Sequence, residues 1–174
     1  MANKLLGIDI FAAATTTAAH EKGVTADVPI GGNAPTVSTG ATVSLDGGGE
    51  VRYVLASGTI TAGDAVKIDL TAAVADRSYS VNRTAAVTDK VEGIALVSAI
   101  AGQFLFVATK GVVTGANVAT AVAAGEAIGA SASAGRLDAV AEGTAANLEA
   151  YVGGRRGVNL IVAASNLSTV YLLG

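Results

Sequence analysis

Few side chains in this sequence could carry chemistry. The single histidine, His20, is the residue type best suited to proton transfer near neutral pH. It lies between Ala19 and Glu21 in a low-complexity stretch, where no rigid neighbour is expected to hold it in register, so it reads as a solvated residue. Carboxylate pairs that could begin a metal site are Asp64 with Asp69 and Asp89 with Glu92. Calcium needs about six to eight oxygens, and neither an acidic EF-hand-type loop nor a histidine pair at helical spacing is present to complete such a set. Each pair sits beside a turn in a glycine-rich context, where carboxylates commonly accept backbone amides. A hydrolase could be imagined from Asp64, Glu126 and a threonine, but nothing in their spacing brings them together. Among the 22 glycines, neither Gly47-Gly48-Gly49 nor Gly153-Gly154 opens a helix with the Lys-Ser or Lys-Thr of a phosphate loop. No serine occupies a Gly-x-Ser-x-Gly elbow. The expectation is a non-enzymatic chain with no catalytic residue, no metal and no cofactor.

The elements that would position these residues read as β. From Glu50 onward Val51, Tyr53 and Leu55 alternate with Arg52, Val54 and Ala56, a period of two that places one set on a buried face. Further strands are expected over Asp64 to Leu70, Val91 to Ser98, Phe104 to Lys110, Gly111 to Val118, Leu137 to Ala141, Leu160 to Ala164 and Thr169 to Leu173. Only Thr144 to Tyr151 has tolerable helix formers. Ala62-Gly63-Asp64 is echoed by Ala124-Gly125-Glu126, Ala101-Gly102-Gln103 and Ala134-Gly135-Arg136. In each, Ala-Gly precedes a polar residue and then a strand. This is the chemistry of a tight turn whose glycine takes a positive φ and whose polar side chain can bond nearby amides. The irregular spacing predicts a meander or small barrel with reused turns, not a solenoid.

Residues 1–49 differ from the rest. They hold the run Ala12 to Ala19, both prolines and the triple glycine, and such a stretch reads as an extended N-terminal arm preceding a β-rich body over residues 50–174. Leu5, Leu6, Ile8, Ile10 and Phe11 form an apolar cluster that would be costly to leave in water, and so read as an anchor for a partner. Arg155 and Arg156, flanked by glycines, read as an exposed loop tip that is either solvated or a contact for an acidic patch.

The composition bounds the partners. A chain of 174 residues suffices for one domain with a sizeable core. Its apolar half is mostly Ala and Val, with four Tyr, three Phe and no Trp, so the core must be built from small side chains. A formal net charge of −3 without a basic run argues against nucleic acid and against anionic membranes. The absence of cysteine removes disulfides, thiolate nucleophiles and cysteine-ligated metals. Ile94 to Val113 is long enough to span a bilayer, but its Ala-Gly-Gln interruption reads as a turn between two buried strands.

From Ser57 to Val66, through Val91-Glu92-Gly93-Ile94-Ala95 and Gly111-Val112-Val113 to Ala123 through Ile128, the order of turns and strands resembles the head decoration, or cement, proteins of tailed bacteriophages. The likeness covers roughly residues 50–140. It implies a β-barrel or β-tulip-like body, often a homotrimer, that binds the major capsid protein on the outside of an icosahedral virion and bridges its subunits. It further implies manufacture in the host bacterial cytoplasm. Against it stand another phage structural module, such as a head fibre, tail tube or receptor-contacting protein, and a small carbohydrate- or peptide-binding β domain. The fibre lacks its regular repeats and the sugar site lacks Trp.

Overall fold

The computed structural model describes residues 3–4, 9–28, 43–140, 157–161 and 166–173. Among these residues the secondary structure is all β, eleven strands in one mixed sheet and no helix. Two long strands form the spine. One is β3 (Ser44–Ala56); the other is β7 (Phe104–Asn117), and they run antiparallel from Ser44↔Thr114 to Leu55↔Phe104. The short strands β4 (Ala65–Ile68), β5 (Ser80–Arg83) and β6 (Gly93–Ala95) lie between them in sequence. Pairing runs β3-β5-β4-β6-β7 and returns to β3, giving a barrel-like ring. The ring is partial, because β5 joins the end of β3 through only Leu55↔Ser80 and Ala56↔Val81.

Alternation along the spine sorts the side chains. Val54, Ala56, Leu105 and Val107 pack with Val66, Val81 and Ala95 in one buried cluster. The alternate residues Val51, Tyr53, Phe104 and Phe106 belong to a second. The expected single buried face is thus corrected: Val51, Tyr53, Val54 and Ala56 are each 3% exposed or less. A strand covered on both faces loses the hydrophobic-in, polar-out pattern and reads as a near-continuous apolar run.

The cover on the second face comes from the N-terminal segment. Strand β2 (Thr25–Val28) pairs antiparallel with β3, and β1 (Asn3–Lys4) pairs parallel with β2. The Thr15 and Phe104 backbones exchange hydrogen bonds, Gly23 N–H donates to Tyr53 C=O and Tyr53 N–H to Val24 C=O. Residues 9–28 therefore form a strap seated on the body. Strand β3 also crosses the expected boundary between residues 49 and 50. The rest of β7 pairs with β11 (Leu167–Leu172), and the sheet continues through β10 (Gly157–Asn159) and β8 (Ala127–Ala130) to β9 (Leu137–Ala139). Val113, Ile128, Leu137, Val170 and Leu172 in this second lobe belong to the same cluster as Val51, Tyr53 and the strap residues Ile10 and Phe11.

The apolar stretch from Ile94 to Val113 is β6, a turn and most of β7, as expected, and no helix among the described residues is long and apolar enough to cross a membrane. Gly111 does not divide two strands: β7 is continuous through it. Leu160 and Ile161 lie outside the strands, the nearby strand being Gly157–Asn159, and the remainder of that expected strand and the possible helix at Thr144–Tyr151 fall outside the described residues.

The triple glycine lies inside β3. The β3–β7 register shifts between Asp46 and Gly49, Gly48 has φ +85°, and Gly49 faces Gly111, whose φ is +112°. A Cβ on Gly49 would come within 2.1 Å of the Lys110 carbonyl oxygen, and one on Gly111 within 2.6 Å of the Gly48 oxygen. Both obstacles are backbone, which cannot rotate away. Gly49→Ala is expected to lower unfolding free energy by about 2–4 kcal/mol, read as a fall in urea midpoint at unchanged m. Gly102→Ala, with φ +85° and no atom within 4 Å, carries only left-handed strain of about 1 kcal/mol.

Candidate functional site

The residues singled out for chemistry are found mostly at turns. Four turns share one construction: Thr61–Asp64, Ile100–Gln103, Ala123–Glu126 and Ser133–Arg136. In each the first carbonyl accepts the fourth residue's N–H, at 3.0, 3.1, 3.4 and 3.1 Å. The third residue is glycine with φ +90°, +85°, +88° and +71°, the demand of a type II turn. In the first three, the fourth side chain bonds back to the first amide. Asp64 Oδ2 accepts from Thr61 N–H at 2.8 Å, Gln103 Oε1 from Ile100 at 2.9 Å and Glu126 Oε2 from Ala123 at 2.6 Å. Arg136 has no acceptor to offer, and its turn lacks this bond. Instead Ser131 Oγ accepts the Ser133 N–H.

The glycine N–H is not used within such a turn, and all four donate to another part of the chain. Gly63 donates to Ala95 C=O, Gly102 to Ala56, Gly125 to Asn159 and Gly135 to Thr84. Each turn thus fastens two segments together. Asp64 is the most deeply placed of the turn acids, 3% exposed. Its Oδ1 also accepts from Asn117 Nδ2 at 3.1 Å, and a Cβ on Gly135 would fall 2.5 Å from its Cγ, so the first and fourth turns pack directly on one another.

The other carboxylates are similarly engaged. Asp89 accepts from Lys67 Nζ at 2.8 Å and from the amides of Ala85 and Ala86. Burial pushes its carboxyl upward, but the Lys67 ammonium and the two amides outweigh it and hold the group below the usual carboxylate range. Asp69 is likewise lowered, by the Ser57 hydroxyl and then by Thr71. Glu92 pairs with Arg52. The Asp64 and Asp69 carboxylates therefore have different partners, as do those of Asp89 and Glu92. Asp64 and Glu126 serve separate turns, and no group of three or more His, Asp or Glu among the described residues could hold a metal ion.

His20 is not the solvated residue expected. Its ring packs edge-on against Tyr53, centroids 5.0 Å apart, and tilted against Phe106 at 5.3 Å. Tyr53 Oη accepts the Ala19 N–H at 3.0 Å, and Lys22 Nζ lies 5.5 Å from the ring centroids of both Tyr79 and Phe104. The strap is thus held on an aromatic platform by a histidine edge, an amide and an ammonium. No sequence signal near His20 indicates this seat, because Tyr53 and Phe106 arrive from β3 and β7. Tyr79 also donates its hydroxyl to Asp76, and that bond, with burial, raises the phenol above its ordinary value.

Of the residues expected to meet a partner, Ile10 and Phe11 are 1% and 4% exposed within this chain's own core. They anchor the strap and are not free for another molecule. Leu5, Leu6, Ile8, Arg155 and Arg156 lie outside the described residues. What sequence reasoning missed is a set of exposed aliphatic side chains at Leu70, Val74, Leu160 and Leu167. No family model matches the chain, and no curated protein matches it significantly.

Asp64→Ala removes a buried carboxylate that serves both the Thr61 amide and the Asn117 side chain and should cost about 2–3 kcal/mol, whereas Glu126→Ala, on an exposed turn, should cost about 0.5 kcal/mol. Chemical denaturation distinguishes them. A depressed folded-state pKa stabilises above the unfolded value and is lost as pH falls through the folded one. Stability should therefore decline on acidification below about pH 4, with a shallower decline in Asp89→Asn. The raised Tyr79 acts oppositely: its contribution holds below about pH 10 and is lost as pH rises through the folded value, so Tyr79→Phe should flatten the alkaline limb.

Proposed function

We propose that this chain is a structural protein of a tailed-bacteriophage particle, a cement protein that self-associates, binds the outside of an icosahedral capsid and bridges its major capsid subunits. The observation that carries the reading is the use to which polar groups are put. The turn carboxylates engage backbone amides and neighbouring side chains, while large aliphatic side chains stand in water. Such a surface suits protein contact better than chemistry. The order of turns and strands over residues 50–140 supports the same reading by its resemblance to that family. A protein of this kind gains affinity by touching several subunits at once, since each linked contact raises the effective concentration of the next.

The test is co-sedimentation of the full-length protein with expanded, undecorated phage heads, beside the triple variant Leu5→Ser, Leu6→Ser, Ile8→Ser. This variant leaves the Ile10 and Phe11 anchors in place. Saturable binding by the parent is expected, weakened roughly tenfold or more in the variant, because each aliphatic group buried contributes about 1.5–3 kcal/mol. Absence of binding by the folded parent overturns the reading for those heads and directs attention to tail and fibre structures.

A further inference from the structure

Of the four described arginines, two have partners: Arg52 pairs with Glu92, and Arg77 donates to the Ala72 carbonyl. Arg83 and Arg136 have no acceptor for the guanidinium among the described residues. Arg136 stands apart from Arg83 in one respect. Its Nε is shut off from water with nothing to donate to, and it is the one buried side-chain nitrogen or oxygen among the described residues left without a partner. Arginine is always charged, and a buried charged donor that finds no acceptor carries the full penalty of its lost hydration. A single such atom in an otherwise satisfied interior has a cause.

The fold holds Arg136 in place without relieving it. Its N–H donates to Ser133 C=O at 3.1 Å and its carbonyl accepts the Ser131 N–H at 3.0 Å. Gly135 beside it donates to Thr84 C=O and accepts from Ala65 N–H, both at 2.8 Å. The carboxylates nearby are committed elsewhere. Asp64, against which Gly135 packs, accepts from Thr61 and Asn117. Asp138 alternates with the buried Leu137 and so shares a side of β9 with Arg136, but it accepts the Ala139 N–H at 2.8 Å. Neither acid forms an ion pair with Arg136. Ser131 is the next position across from Arg136 in the β8–β9 register and is itself buried. Its Oγ accepts the Ser133 N–H, and no acceptor for its own hydroxyl hydrogen stands among the described residues.

We propose that Arg136, with the Ser131 hydroxyl beside it, is a binding site for a carboxylate carried by another molecule. The arginine as a whole is half-buried, so part of the guanidinium meets solvent, and an approaching anion draws the Nε–Nη edge toward itself. That edge offers two parallel N–H donors that match the two oxygens of one carboxylate, and the serine hydroxyl supplies a third donor. Binding removes the penalty that the unliganded chain carries at Nε. A phosphate dianion fits this place less well. Phosphate sites gather several backbone amides, whereas the Ser133, Gly135 and Arg136 amides here are already bonded, and the Asp64 carboxylate against Gly135 opposes a second negative charge. The site goes beyond the shell-binding reading and does not depend on it.

The experiment follows the arginine Nε–Hε signals of the nitrogen-15-labelled full-length protein by NMR during titration with sodium acetate, with the blocked peptide acetyl-Gly-Asp-Gly-amide and with inorganic phosphate, each against sodium chloride at equal ionic strength. The signal that disappears in Arg136→Lys should move saturably with acetate, and Arg83→Gln should leave that response unchanged. Arg136→Lys keeps the charge without the fork, so acetate should protect it from urea roughly tenfold more weakly than the parent. A response to the peptide as well assigns the site to an acidic side chain of a partner; a response to acetate alone assigns it to a small free acid. Arg136→Met removes the unsatisfied donor and should raise the urea midpoint at unchanged m, where an arginine with a structural role would lower it. The proposal is overturned by a signal that does not move, by a movement that chloride reproduces, by phosphate saturating below acetate, or by a lowered midpoint in Arg136→Met. It is also overturned if Glu142→Gln/Glu149→Gln moves the Arg136 signal with no ligand present, which places the acceptor within this chain. No phage heads enter the assay, so its failure leaves the shell-binding test untouched.

Discussion

The architecture depends on a backbone-to-backbone approach between two strands. At Gly49 and Gly111 the long strands β3 and β7 come so close that either Cβ would collide with main-chain oxygen. The register shifts beside this point. On one side of it the pair belongs to the partial ring, on the other it feeds β11 and the second lobe. The hydrophobic cluster on one face of this spine can therefore run without a break from Tyr53 and Phe104 to Val113 and Leu172. Glycine in a strand interior is costly in entropy, and here the return on that cost is a sheet that serves both lobes.

Around this spine the short strands have little pairing of their own. Strand β6 is three residues and β5 meets β3 at two positions. The four Ala-Gly-polar turns supply the missing connections by donating each glycine amide to a distant carbonyl. In three of them a side-chain acceptor at the fourth position then satisfies an amide that a turn would otherwise leave to water. This explains why carboxylates that resemble the beginnings of an active site are tied to the main chain.

Much of this was legible in the sequence, for local reasons. The turns could be read because a positive φ selects glycine and a back-bonding acceptor selects Asp, Glu or Gln within four residues. The all-β class followed from alternation and small side chains. What could not be read depends on contacts distant in sequence. Residues 9–28 have an arm-like composition, yet their four pairings with β3 and the aromatic platform seat them on the body. Ile10 and Phe11 read as an anchor for a partner, whereas they pack in this chain's own core; nothing local says that the surface awaiting them belongs to the same chain. Strand β5 was hidden because Ser80–Arg83 mixes polar and apolar residues. The exposed tip at Leu70 was hidden for the opposite reason, since an apolar residue after Ile68 looks like the continuation of a strand.

The strap also has a consequence for the order in which the molecule is made. Its first residues leave the ribosome long before Phe104 and Phe106, the rings against which Lys22 and His20 finally rest. Ile10 and Phe11 must therefore remain without their native seat until roughly three-fifths of the chain has been synthesised, a period in which two large apolar groups are available to chaperones or to neighbouring nascent chains. Closing the strap is a late, high-contact-order event. The low aromatic content of the strap itself, Phe11 alone among residues 9–28, limits how much sticky surface the nascent protein displays while it waits.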